Sequence, residues 1–210
     1  MIELVKVNKS YEKKNIIKDF SLKINKGEIV AITGQSGKGK STLLNIIGLL
    51  EECDSGDVII DDYKNVKINS NKSTDILRKK ISYLFQNYAL VDEETVKYNL
   101  LLALKYVKVN KKEKINRISG ALNKVGLNGY ENKRIYQLSG GEQQRVALAR
   151  VLLKPSEVIL ADEPTGSLDA KNRDKILDLL FNLNKEDNKT IIIVTHDLEV
   201  ANRCNRIVKL

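Results

Sequence analysis

The sequence predicts an α/β fold with a mainly parallel sheet, an antiparallel β layer and an inserted helical subdomain, and three observations carry that prediction. The runs at 28–33, 158–163 and 190–196 are β-branched and apolar enough for strands buried on both faces. Helical spacing of apolar residues resumes between them, as a parallel sheet requires of its crossovers. Shorter runs at 2–7, 16–24 and 58–61, separated by turn signals, read as an antiparallel layer at one side.

In chain order, strands at 2–7 and 16–24 come first, with a turn at Asn25-Lys26-Gly27, and a second turn at Asp54-Ser55-Gly56 precedes the strand at 58–61. The buried strand at 28–33 runs into Gly34-Gln35-Ser36-Gly37-Lys38-Gly39-Lys40-Ser41-Thr42, which fits G-x-x-x-x-G-K-[ST]. A helix at 43–47 follows, so the motif has the strand, loop, helix context that its chemistry needs. Its glycines let successive backbone N–H groups turn inward, and the helix N-terminus adds about half a positive charge. Such a loop wraps a β-phosphate, with Lys40 reaching the β- and γ-phosphates and the Ser41 hydroxyl ligating Mg²⁺. Lys38 stands where a small residue is usual and is expected to point outward. A core strand at 81–85 then delivers Gln86.

From 87 to 154 the pattern is helical. Thr95 caps a helix carrying Val96, Leu100, Leu104 and Val107 on one face; Ile115, Ile118, Leu122 and Val125 line the next, which ends at Gly126. Leu138-Ser139-Gly140-Gly141-Glu142-Gln143-Gln144-Arg145 opens a third helix, with Ser139 as N-cap and free N–H groups beside it for an anion. That makes a second phosphate-binding device, and two such devices on one chain imply a nucleotide held between two copies. Pro155 marks the return to the sheet. The strand at 158–163 ends in two carboxylates: Asp162 fits the acid that orients Mg²⁺, and Glu163 fits the general base for water. A helix carrying Ile176, Leu177, Leu180 and Leu183 covers one sheet face. The strand at 190–196 ends in the chain's one histidine, His196, placed for a polar contact to the γ-phosphate, and 206–210 supplies a last strand.

Composition agrees. At 210 residues the chain suits one unit of two lobes, a core of about 1–86 and 155–210 and a helical subdomain of about 87–154. No stretch is apolar over the ~18 residues of a membrane span, and the N-terminus opens directly into a strand, so a cytoplasmic protein is expected. Cys53 and Cys204 have no metal spacing and read as free thiols. The net charge of +9 comes from scattered lysines without a basic helix, a solvated surface rather than a nucleic-acid footprint.

The ordered set of residues 34–42, Gln86, 138–145, 158–163, Ser167-Leu168-Asp169 and His196 resembles the ATP-binding-cassette ATPases, which have a P-loop NTPase core, and the resemblance covers nearly the whole chain. It implies ATP and Mg²⁺, with ATP hydrolysis at two sites shared by a homodimer. It implies further that Gln86 ligates Mg²⁺ and senses a membrane partner, and that Asp169 couples the two sites. Ser139, Gly140 and Gly141 would contact the γ-phosphate held by the other subunit. Tyr11, ahead of the first strand pair, matches the aromatic that stacks on adenine. The stretches at 85–90 and 161–169 are similar to the lipoprotein-releasing and macrolide or antimicrobial-peptide exporter group, including bacteriocin-associated exporters. That likeness implies a partner integral membrane permease, no nucleic acid, and a place on the inner face of the cytoplasmic membrane. A cassette that regulates a membrane partner without transport would carry the same motifs.

Overall fold

The computed structural model describes residues 1–12, 14–166 and 170–210, and only the backbone of 170 and 171. Among them, two sheets form. In the first, β1 (Ile2–Tyr11) pairs antiparallel with β2 (Lys14–Ile24) and with β4 (Ser55–Ile60), and β4 pairs with the short β5 (Tyr63–Lys64). The second is parallel throughout and lies in the order β6 (Ile81–Leu84), β7 (Val158–Asp162), β8 (Thr190–Val194), β3 (Ile29–Thr33), β9 (Arg206–Lys209).

Seven α-helices lie among the described residues: α1 (Lys40–Ile47), α2 (Asn71–Lys79), α3 (Val96–Ala103), α4 (Lys111–Lys124), α5 (Gly140–Leu153), α6 (Ala170–Asp187) and α7 (Leu198–Asn202). Side-chain alternation along the parallel strands divides the interior into two cores. Val30, Ile32, Val158, Leu160, Ile192 and Val194 face α1 and the antiparallel sheet. Ile29, Ile159, Ala161, Ile191 and Ile193 face α5 and α6, and that core continues into α3 and α4 through Val96, Leu100, Ile118 and Leu122. No helix among the described residues is long and apolar enough to cross a membrane.

Several expectations need correction. The turn expected at 54–56 is shorter, because Ser55 and Gly56 already belong to β4. Gly56 has φ +95 beside a register shift of β1, and a Cβ there would lie 2.4 Å from the Lys6 carbonyl oxygen, so only glycine closes this bulge. Val107 lies beyond α3, whose C-cap is Leu104. The strand that delivers Gln86 is buried as expected but ends at Leu84, one residue short of 85, and lies at an edge of the parallel sheet. Helix α2 gave no apolar periodicity, since only Ser73 and Ile76 are buried in it; the Ser70 side chain caps it, accepting from the Ser73 N–H at 3.1 Å.

Candidate nucleotide site

Because the second sheet is parallel, the carboxyl ends of β3, β7 and β8 open at one edge, where ligands of such sheets bind. The loop at 34–39 leaves β3 there and enters α1. Gly37 and Gly39 have φ +75 and +88, and a Cβ on Gly39 would lie 2.3 Å from the Ile16 Cγ2 atom. Gln35, Ser36, Gly37 and Lys38 are exposed, so Lys38 points outward as expected. Lys40, 8% exposed, donates from Nζ to the carbonyl oxygens of Gly34 at 2.9 Å and Gln35 at 3.0 Å, which curls the loop over its own ammonium.

The acids at the end of β7 meet this loop. The Ser41 hydroxyl donates to Asp162 Oδ1 at 3.1 Å. Burial pushes the Asp162 carboxyl above its ordinary range and the Glu163 charge adds to this, while the Ser41 bond and Lys40 oppose it. Glu163 has φ +45, and its N–H donates to Val194 O at 2.9 Å, which ties the end of β7 to the end of β8. Its Oε1 lies 2.7 Å from His196 Nδ1 and accepts from the His196 N–H at 3.2 Å, and its Oε2 accepts from the Thr195 hydroxyl at 3.3 Å. The histidine is exposed, whereas Thr195 is completely buried.

A cavity of about 600 Å³ joins these groups, lined by Tyr11, Ser36, Gly37, Gly39, Lys40, Ser41, Thr42, Gln86, Glu163 and His196, together with Ile16, Tyr88, Gly166 and Val194. Tyr11 is not ahead of the first strand pair but the last residue of β1, because register shifts carry that strand on to the hairpin. Its hydroxyl donates to Glu51 and lies 3.5 Å from Thr42 Oγ1.

Ser139, Gly140 and Gly141 are not among the described residues lining this cavity. They start α5 through a reciprocal cap: Ser139 Oγ accepts from the Glu142 N–H at 3.4 Å, and Glu142 Oε2 accepts from the Ser139 N–H at 2.8 Å. The Ser139 N–H is therefore taken by the Glu142 carboxylate. Those Ser139 bonds and the Tyr130 hydroxyl, 2.9 Å from Glu142 Oε1, hold the Glu142 carboxyl below its usual range.

The family model described as ABC transporter matches residues 17–166. The chain belongs to this family. The macrolide export ATP-binding/permease protein MacB of Mannheimia succiniciproducens is 41% identical over the whole chain, which spans only 33% of that protein. The ABC transporter ATP-binding protein YxdL of Bacillus subtilis is 36% identical over 99% of this chain and 82% of its own length. A solved structure, the dimeric post-hydrolysis state of the ATP-binding cassette MJ0796 bound to ADP and Pi, superposes with a TM-score of 0.93 at 40% identity, covering 100% of this chain and 94% of that one.

Within this cassette, Asp169 lies outside the described residues, as do Ser167 and Leu168. Sequence reasoning did not single out Ile16, Tyr88, Gly166 or Val194. For Tyr88 one signal was available, an aromatic two residues after Gln86. Ile16 and Val194 were legible only as apolar strand residues.

Proposed function

We propose that the chain is the ATP-hydrolysing subunit of a transporter, working as a homodimer on a separate integral membrane permease that exports a peptide, lipoprotein or drug-like substrate. One observation carries this reading: residues of the phosphate loop, Ser41 with Asp162 bonded behind it, and the Glu163–His196 pair meet at a single cavity. The MacB relative, whose name gives it macrolide export, supports the exporter assignment.

The backbone N–H groups of 34–42, with Gly34, Gln35, Ser36, Gly37, Lys38, Gly39 and Thr42 as the frame, hold the phosphates, and Lys40 adds its charge toward the β- and γ-oxygens. The donor set fits Mg²⁺: the Ser41 hydroxyl and the Asp162 carboxylate are hard oxygens 3.1 Å apart, and Gln86 on the same cavity offers a third. When bound, the ion supplies charge neutralisation at the β- and γ-phosphates. Glu163 takes the proton of the attacking water, its carboxylate steadied by three bonds from Thr195 and His196. His196, exposed at the cavity beside Glu163, contacts the γ-phosphate. Tyr11 takes the adenine, a stacking contact worth about 1–3 kcal/mol.

Ser139, Gly140 and Gly141 serve the nucleotide of the second copy, and Asp169 couples the two sites. The division into a core of 1–86 and 155–210 and a helical subdomain of 87–154 puts this second device on a part that can move toward the partner. The assembly sits on the inner face of the cytoplasmic membrane, where the permease is reached.

Glu163→Gln tests the reading. ATP binding persists and turnover falls about 10²–10⁴-fold, and the variant recovers an integral membrane permease from solubilised native membranes in the presence of ATP and Mg²⁺. Unchanged turnover removes Glu163 from its role, and recovery of ribosomal or DNA-associated proteins overturns the transporter reading.

A further inference from the structure

Two side chains one turn apart, Arg150 on α5 and Lys154 at its C-cap, hold the chain on either side of Gln86. The Arg150 guanidinium donates from Nη1 to the Ala89 carbonyl oxygen at 2.5 Å and from Nη2 to that of Tyr88 at 2.7 Å. Lys154 Nζ donates to the Ile81 carbonyl oxygen at 2.7 Å. The segment between these grips carries Gln86 into the cavity.

The backbone held by Arg150 is strained. Tyr88 and Ala89 have φ of +63 and +47, and two successive left-handed residues with a Cβ persist only where their surroundings impose the conformation. A planar fork with fixed N–H directions imposes it on two adjacent carbonyl groups, and a lysine ammonium, a point charge on a flexible stem, does not. Arg150 is half-buried, and desolvation lowers its pKa from the ordinary arginine value, so the cation is kept here against a cost. Tyr88 also reaches the far end of the same helix: a Cβ on Gly140 would lie 3.8 Å from the Tyr88 hydroxyl oxygen. The loop after Gln86 thus lies along α5, from its N-terminal Gly140 to Arg150 in its last turn.

We propose that Arg150 is the positioning residue that fixes Gln86 and Tyr88 at the cavity and ties their loop to the helix that starts at Gly140. Arg150 acts through the backbone, not on nucleotide or metal. The proposal rests on the reading of Gln86 as a group that serves Mg²⁺.

Arg150→Lys, Gln86→Ala and the double variant test it. Hydrogen exchange without nucleotide reads the loop directly: in Arg150→Lys the amides of 87–91 exchange at least tenfold faster, while those of α5 and the melting temperature stay near wild type. Affinity for a fluorescent ATP analogue stays within twofold. The kcat falls and the half-saturating Mg²⁺ concentration rises by about tenfold each, the scale on which groups behind a metal ligand act. The double variant is no slower than Gln86→Ala alone, because both remove one function. Should Arg150→Lys fail to fold, Arg150→Met fills the same volume without a buried charge, and the same results are expected.

Unaltered exchange and kcat in Arg150→Lys, with Gln86→Ala impaired, overturns the proposal. So do losses that multiply in the double variant, since Arg150 then acts apart from Gln86. An unimpaired Gln86→Ala instead overturns the reading of Gln86, and the exchange data still decide whether Arg150 holds the loop.

Discussion

Lys40 and Ser41 are legible one by one, because a backbone anion cradle needs glycines and a cation at fixed spacing. Glu163 was legible as a carboxylate at a strand end, but its left-handed backbone and its bond to His196 were not, since 33 residues separate the two in sequence. Tyr88 carries no periodic signal and enters the site only because Arg150 bends its backbone. The cysteines were read as free thiols and both are free. Burial pushes the Cys204 thiol from 9.0 up to about 11, and a raised thiol pKa leaves less thiolate at any pH below it. At pH 8 that is about a hundredfold less thiolate, so iodoacetamide is expected to label Cys204 about a hundredfold more slowly in the folded than in the unfolded protein. Mass spectrometry of the Cys204 peptide over time checks this, and equal rates would contradict it.

Among elements, caps were readable where a short polar residue precedes an apolar helix. Thr95 accepts from the Tyr98 N–H at 3.1 Å, and Ser139 starts α5 as expected. What stayed hidden is how α3 fastens the chain before it. Asn99, fully buried, accepts from the Val91 N–H at 2.8 Å and donates to the carbonyl oxygens of Val91 at 3.2 Å and Thr95 at 3.0 Å. An asparagine inside an amphipathic helix looks like a solvent-facing residue until the partner loop is in place. Asn99→Leu leaves the Val91 N–H without its side-chain partner, while the Val91 carbonyl oxygen keeps the Glu94 N–H at 3.1 Å, and the expected cost is about 1–3 kcal/mol. Urea unfolding measures it, and a loss below about 0.5 kcal/mol would show that the Asn99 bond adds nothing to stability.

At the scale of the whole molecule, Ser139, Gly140 and Gly141 are not among the described residues lining the cavity, and in the proposed homodimer they serve the nucleotide of the second copy. Light scattering on Glu163→Gln is expected to show the mass double on adding ATP and Mg²⁺ and return to monomer when EDTA removes the metal. Adding Ser139→Ala should leave nucleotide binding intact and abolish most of the doubling. A Glu163→Gln protein that stays monomeric with bound ATP would remove the shared-site arrangement.

The division of labour between sequence and tertiary structure has a local cause. The α/β class, the buried strands, the phosphate loop, the capped start of α5 and the two acids at the end of β7 were determined by the sequence itself, because each depends on residues a few positions apart. The meeting of Glu163 with His196, the place of Tyr11 at the end of β1 and the grip of Arg150 on the loop after Gln86 were decided only by tertiary structure. Those contacts join segments 31 or more positions apart. No periodicity encodes such pairs; the order of the parallel strands and the packing of α5 against β6 bring them together.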